Sequence, residues 1–140
     1  MTHAQFVIRK YHPSDEEDVI RLWDECGLIV PQNDPRRDIE KKAQFQPQWF
    51  FVGILDGRLI SSMMVGYEGH RGWINYLAVL PSFQRRGYGR YMMEKAESVL
   101  GEAGCPKINL QVRKSNTSVI QFYKACGYSE DAVISLGKRL

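Results

Sequence analysis

Seven consecutive residues, Gln84-Arg85-Arg86-Gly87-Tyr88-Gly89-Arg90, are of the types that could do chemistry on an anion. Two glycines one residue apart let a backbone fold tightly and turn several N–H groups to one side, with no Cβ in the way. A helix pattern follows, with Met92, Met93, Ala96, Val99 and Leu100 at helical spacing. Its N-terminus adds unpaired N–H groups and a partial positive charge. Arg85, Arg86 and Arg90 add full charges. Together these groups suit a pyrophosphate. The stretch is neither a dinucleotide fingerprint nor a P-loop, since Met92 stands where the third glycine belongs and no Gly-Lys-Ser/Thr triplet occurs. The competing reading is an ordinary strand-to-helix turn with a solvated arginine face.

The elements that must position this turn are legible on both sides. Trp73 to Leu80 reads as a buried strand, closed by Pro81. The helix after the turn runs to about Ala103, ahead of Gly104. Upstream, Phe6 to Lys10 reads as a first strand. Ser14 and Glu17 form a capping box for a helix to about Gly27, whose face is Val19, Leu22, Trp23 and Cys26. Asp34-Pro35 reads as an N-cap and first helical position, with a charged helix from Arg36 to about Phe45. Gln48 to Leu55, the Asp56-Gly57 turn and Leu59 to Tyr67 form a hairpin, and a second turn at Gly69 to Gly72 leads into the central strand, giving a three-strand antiparallel meander. Lys107 to Arg113 reads as a strand. A last helix is capped by Ser115 or Asn116, with Val119, Ile120 and Tyr123 on its face, and ends at Gly127. Ala132 to Leu136 reads as a final strand. Hairpins combined with strand–helix–strand units imply an α/β domain with a mixed sheet.

Composition narrows the function classes. At 140 residues the chain reads as one domain, 1–140, large enough for a core without disulfide staples. A net charge of +3 suits an anionic cofactor but, with no long basic run, gives no footprint for nucleic acid. Cys26, Cys105 and Cys126 are odd in number, widely spaced and without a CxxC pair, so neither a zinc site nor a disulfide framework is expected, and reduced thiols in a cytoplasm are the default. His3, His12 and His70 form no cluster, so no metal is expected. No apolar leader precedes Phe6 and no run approaches a membrane span, so no membrane partner is expected.

Two stretches carry a family resemblance. Gln84-x-x-Gly87-x-Gly89, after Leu77-Ala78-Val79-Leu80-Pro81, resembles the acetyl-CoA signature of the GNAT (GCN5-related) N-acetyltransferases. Asn116, then Tyr123, then Gly127-Tyr128 is similar to the family's C-terminal motif. The Gly69-His70-Arg71-Gly72 turn, Gly104-Cys105-Pro106-Lys107 and the ending Leu136 to Leu140 resemble small bacterial members of the YpeA type.

The resemblance implies a GNAT-like fold: a mixed, mostly antiparallel central sheet with a splayed strand pair and flanking helices. It implies acetyl transfer from acetyl-CoA to a primary amine by direct attack on the thioester. Pantetheine would lie along the central strand, on backbone groups of Leu77, Ala78 and Val79, with the Leu77 N–H facing the thioester oxygen. Gln84, Arg85, Arg86, Gly87, Tyr88, Gly89 and Arg90 would hold the pyrophosphate, and Asn116 would reach the pantetheine arm. Tyr123 would be the general acid for the departing thiolate. Its competing reading is one more inward aromatic with a satisfied hydroxyl.

The acceptor side departs from the pattern. Trp73 and Asn75 occupy positions where many relatives carry a carboxylate base. Glu68, with His70, is the nearest candidate, and a solvated turn is the alternative for both. The resemblance implies that the early helical region borders the acceptor site, which makes Asn33, Asp34 and Arg37 substrate-side candidates, with a solvated surface helix as the alternative. Trp49, Tyr67, Trp73 and Tyr76 could shape a pocket there, with a core role as the alternative. The missing carboxylate also motivates a second function, a non-catalytic acyl-CoA-binding or sensing module on the same fold. The acceptor's identity and the assembly state stay open, a homodimer included.

Overall fold

The computed structural model describes residues 5–140. The residues before Gln5, including His3 and most of the stretch read for a leader, lie outside them. The chain divides into two units, one up to Leu110 and one from Gln111 to Leu140.

The first unit holds strands β1 (Phe6–Lys10), β2 (Phe50–Leu55), β3 (Arg58–Tyr67), β4 (Gly72–Val79) and β5 (Ile108–Asn109), with helices α1 (Glu16–Glu25), α2 (Pro35–Lys42) and α3 (Tyr88–Glu102). The sheet order is β1-β2-β3-β4-β5. The first three pairings are antiparallel and β4–β5 is parallel. This is the expected mixed, mostly antiparallel sheet. The β2–β3 hairpin turns on Asp56 (φ 48°) and Gly57 (φ 84°). Positive φ at both central residues is what a two-residue hairpin requires, and an Asp-Gly pair supplies it cheaply.

Helix starts follow side-chain chemistry. Asp34 accepts hydrogen bonds from the N–H groups of Arg36 (3.0 Å) and Arg37 (3.4 Å), and Pro35 takes the first helical position, as expected. Ser14 is not a cap. A 3-10 turn at Pro13–Asp15 precedes α1, and Asp15 is the polar group that matters there. Its carboxylate accepts from the His12 N–H (2.8 Å) and from both guanidinium arms of Arg9 (2.8 and 2.9 Å). A bidentate charged pair outweighs a neutral hydroxyl cap. The α2 helix stops short of Phe45. Gln46 enters the left-handed region (φ 50°), and its side-chain amide pairs with both backbone groups of Tyr67.

Two layers of side chains cover the sheet. Under α1 and α2 lie Val19, Leu22, Trp23, Ile39, Phe50, Val52, Ile60, Met64, Ala78 and Leu80. Under α3 lie Met92, Met93, Ala96 and Leu100. Gly72 faces α3, because a Cβ there would sit 2.8 Å from Leu100 Cδ1.

Two expected strands are corrected. Lys107 to Arg113 yields only β5, because its ladder with β4 stops after Gly72↔Ile108 and Trp73↔Asn109. Ala132 to Leu136 forms no strand. Its apolar residues are exposed, Ile134 at 86%, and β propensity without a neighbouring ladder does not make a strand.

The second unit is built on α4 (Thr117–Ala125). Asn116 caps it, its side-chain oxygen accepting from the Val119 N–H (3.4 Å). At the other end Gly127 (φ 96°) takes the left-handed position. The Gly127 N–H donates to Lys124 O and the Tyr128 N–H to Tyr123 O, each at 3.0 Å. This is a Schellman ending, which satisfies two terminal carbonyls.

Candidate active site

The strand before the turn changes face along its length. Gly72 faces α3, and the two-residue period puts Ile74 there too, yet Ala78 and Leu80 belong to the layer under α1 and α2. One extra residue is needed to reverse the parity. The register supplies it: Ser62 pairs with Ala78 and Met64 with Asn75, leaving Met63 opposite both Tyr76 and Leu77. This is a β-bulge, and Tyr76 takes the strained left-handed conformation in it (φ 54°).

Tyr76 is held at three points. Its carbonyl accepts from the Ser62 hydroxyl (2.8 Å), whose oxygen accepts from the Trp23 indole N–H (2.8 Å). Its ring stacks on Trp23, with centroids 3.8 Å apart and planes 14° apart. Its hydroxyl donates to Asp38 on α2 (2.5 Å). Burial, the hydrogen bond to Asp38 and that carboxylate's charge push the Tyr76 hydroxyl well above the usual phenol pKa. Trp23 and Asp38 were not legible as site residues. The signal for Trp23 was its N–H, which a buried indole must hand to an acceptor.

Among the described residues, no strand pairs with β4 beyond Trp73 on the side away from β3. Backbone groups face that open edge. The Leu80 N–H donates to Ile60 O (2.8 Å), which makes Ser61–Val79 a non-hydrogen-bonded pair. Both backbone groups of Val79 therefore point away from β3. The Val79 carbonyl accepts from Gln84 Nε2 (2.9 Å) and from the Cys26 thiol (3.3 Å), which fills its two lone pairs. Burial pushes the Cys26 thiol pKa up and keeps it a donor. Gln84 thus closes the end of the open edge, and the Val79 N–H is the group that edge offers there.

The turn is shorter than the sequence suggests. A 3-10 turn at Pro81–Phe83 leads to Arg85 (φ 63°) and Gly87 (φ 92°), and α3 begins at Tyr88. Tyr88, Gly89 and Arg90 therefore belong to the first helical turn, where the helix presents its positive pole. No side chain caps this end, and no acidic residue lies in the first turn to offset its positive pole. The Tyr88 ring packs on Phe6 (4.8 Å) and joins the core, leaving its N–H to face the turn. The Arg86 guanidinium lies over the Phe83 ring (5.6 Å), while the Arg85 side chain is exposed.

Glu68 sits in the β3–β4 turn. Its oxygens accept from the N–H groups of His70 (2.8 Å) and Arg71 (2.7 Å), which hold its pKa below the usual carboxylate range. Gly72 to Leu77 spans roughly 16 Å of strand at about 3.3 Å per residue. That length separates the turn from the backbone groups at Leu77.

In the second unit, the cap at α4 uses the Asn116 side-chain oxygen and leaves its amide NH2 out of the cap. Tyr123 meets Phe122 and Tyr128 edge to face, with centroids 5.0 and 5.9 Å away. Burial, then the nearby Cys126, pushes its hydroxyl up to about 12. It is a protonated donor throughout the neutral range. Among the described residues, no three or more His, Cys, Asp or Glu gather in a metal-binding group, and no helix is long and apolar enough to cross a membrane.

The chain is similar to known proteins in sequence and in fold. The family model described as Acetyltransferase (GNAT) family matches residues 16–128. An acetyltransferase of Yersinia enterocolitica is 44% identical over 133 residues, covering 95% of this chain and 94% of that protein. Among solved structures, Ard1 from Thermoplasma volcanium superposes with a TM-score of 0.81 at 25% identity, over 91% of this chain and 84% of that one. The aminoglycoside-modifying AAC(6')-Iy, solved with a bisubstrate analogue of CoA and an acetylneamine, has a TM-score of 0.79 at 21% identity, over 97% and 99% of the two chains. The family match spans most of the chain and includes both motifs, and the curated relative is similar along nearly all of its length: the chain is an acetyltransferase of the GNAT family.

Proposed function

We propose that the protein transfers the acetyl group of acetyl-CoA to a primary amine, of a small molecule or of a protein or peptide, by direct attack on the thioester. The observation that carries this reading is one continuous feature. The open edge of β4 offers backbone groups from the bulge to Val79, and the chain then turns through Arg85 and Gly87 into the uncapped N-terminus of α3. An extended pantetheine arm suits the strand edge, where it pairs as a strand would. A pyrophosphate suits the helix start, with its positive pole, its first-turn backbone and three arginines. The CoA portion of the analogue bound to AAC(6')-Iy supports the same donor class.

In this reading the N–H groups of Leu77 and Val79 bind the acyl-pantetheine end, and the Leu77 N–H faces the oxygen that gains charge as the amine attacks. Arg85 to Arg90 bind the pyrophosphate, Gln84 braces the strand end, and Asn116 contributes its side-chain NH2 to the cofactor. Tyr123, held protonated, supplies the proton to the departing sulfur. An amine that arrives as a cation first gives one proton to water, which frees the lone pair that attacks. Once bonded to carbon, the nitrogen's remaining protons are acidic, and one of them also leaves through water, with Glu68 as an ionised acceptor at the end of the path. Asp38, on the hydroxyl of Tyr76, puts negative charge beside the bulge, which favours a cationic amine in the approach.

The test is release of CoA thiol from acetyl-CoA, measured against a panel of small amines, polyamines and peptides with free N-termini or lysines. Turnover that depends on one amine class, with the acetylated amine identified by mass, is the expected result. Tight acetyl-CoA binding with no turnover on any class would favour the non-catalytic binding module.

A further inference from the structure

We infer that Ser62, backed by Trp23, is a positioning residue for the oxyanion donor: it aims and polarises the Leu77 N–H. The inference rests on the acetyl-transfer reading above and adds a residue on β3 that touches neither cofactor nor amine. The Tyr76 carbonyl and the Leu77 N–H belong to one peptide group, which is planar and trans. In such a group C=O and N–H point in opposite directions. Ser62 on β3 holds the carbonyl at 2.8 Å. The N–H is thereby directed away from the Ser62 hydroxyl, on a stretch of β4 that, among the described residues, has no strand paired on the side away from β3.

The direction of every proton in this chain is determined. The indole N–H of Trp23 can only donate, so Ser62 Oγ accepts it at 2.8 Å. The single Ser62 proton then goes to the Tyr76 carbonyl, which can only accept. The sequence runs one way: Trp23 N–H to Ser62 O–H to Tyr76 C=O, with the Leu77 N–H at the end. Hydrogen bonds in such a row strengthen one another, and a low local dielectric strengthens them further. Trp23 and Ser62 are both fully buried, at 0% exposure. Trp23 also stacks on the Tyr76 ring, so the same residue holds the Tyr76 side chain directly and its carbonyl through Ser62. Ser62 itself lies among Ile60, Met64 and Ala78, where an apolar side chain would otherwise be favoured. When the amine nitrogen bonds to the thioester carbon, the carbonyl pair moves onto oxygen, facing this N–H. The pair returns as the C–S bond breaks, the sulfur leaves with its bonding electrons and takes a proton, and the nitrogen releases one to water.

Isotope-edited infrared spectroscopy of bound acetyl-CoA, labelled with 13C at the thioester carbonyl, reads the N–H directly. In the unaltered protein the carbonyl band moves to lower wavenumber than in free acetyl-CoA. Ser62→Ala is expected to lose at least half of that displacement and to lower kcat ten- to hundredfold, with KM for acetyl-CoA within threefold. Ser62→Thr, which keeps the hydroxyl, restores both. Trp23→Phe, which keeps an aromatic ring and removes the N–H, gives an intermediate loss of the same sign and carries the test if Ser62→Ala does not fold. A merely structural Ser62 would lower Tm and leave the bound band in place. A folded Ser62→Ala or Trp23→Phe variant with the wild-type band and kcat overturns the inference alone. Failure of the unaltered protein to bind acetyl-CoA overturns the acetyl-transfer reading, and this inference with it.

Discussion

Tyr128 fixes Tyr123 twice over: its N–H donates to the Tyr123 carbonyl at 3.0 Å, and its ring meets the Tyr123 ring edge to face at 5.9 Å. Both contacts follow from the left-handed Gly127, which turns the chain back on the last helical turn. The Asn…Tyr…Gly-Tyr motif thus names an N-cap, a ring on the helix and the two residues that end it.

Tyr123→Phe keeps these ring contacts and removes only the hydroxyl. We expect kcat to fall by about 10²-fold or more, the range for loss of a positioned general acid, with Tm little changed. Steady-state assays on the best acceptor check this. A kcat within threefold of wild type on every acceptor would remove Tyr123 from its role.

Glu68→Gln separates a turn residue from a proton acceptor. The amide still accepts from a turn N–H but cannot take a proton at neutral pH. A carboxylate acting through water is expected to matter less than one in contact, so kcat falls by less than about tenfold. A fall of 10²-fold or more, with Tm unchanged, would show direct proton abstraction and contradict the separation of roughly 16 Å along β4.

Acid stability is expected to depend on Asp15. The hydrogen bonds from Arg9 lead the causes that lower its pKa, against the opposing effect of burial. A carboxylate whose folded pKa lies below its unfolded value, about 3.9, stabilises the fold at higher pH. That stabilisation is lost as pH falls through the folded pKa. Asp15→Asn should therefore lower Tm at pH 7 and flatten the acid side of the Tm–pH curve below about pH 4. Equal slopes in the two proteins would contradict this.

Much of the fold was legible because local chemistry specified it. Asp34-Pro35, Asp56-Gly57 and Gly127 each carry the turn or cap that their residue types dictate. The turn that starts at Gln84 and the helix after it were legible for the same reason, although the helix begins at Tyr88 rather than after Arg90. The bulge at Tyr76 was not, because Trp73 to Leu80 contains too many apolar residues for alternation to show where the parity reverses. Ser62 and Asp38 were equally hidden: each matters through a partner 14 or 38 residues away, and no local pattern records such a pairing. The strand expected at Ala132 to Leu136 failed for the converse reason. Its residue types favour a sheet, but a strand exists only where another lies beside it.

The measurement that bears most directly on the account is a thermal-unfolding scan with and without acetyl-CoA, on the unaltered protein and on Gly89→Glu. Gly89 lies in the first turn of α3, where a carboxylate would oppose a pyrophosphate. Acetyl-CoA at 100 times its Kd stabilises by about 2.7 kcal/mol, a rise in Tm on the order of 5–10 °C for a domain of this size. The account predicts that rise in the unaltered protein and its loss in Gly89→Glu, with the two proteins melting alike in the absence of cofactor. No rise at saturating acetyl-CoA, or an equal rise in a folded Gly89→Glu, would contradict the pyrophosphate cradle.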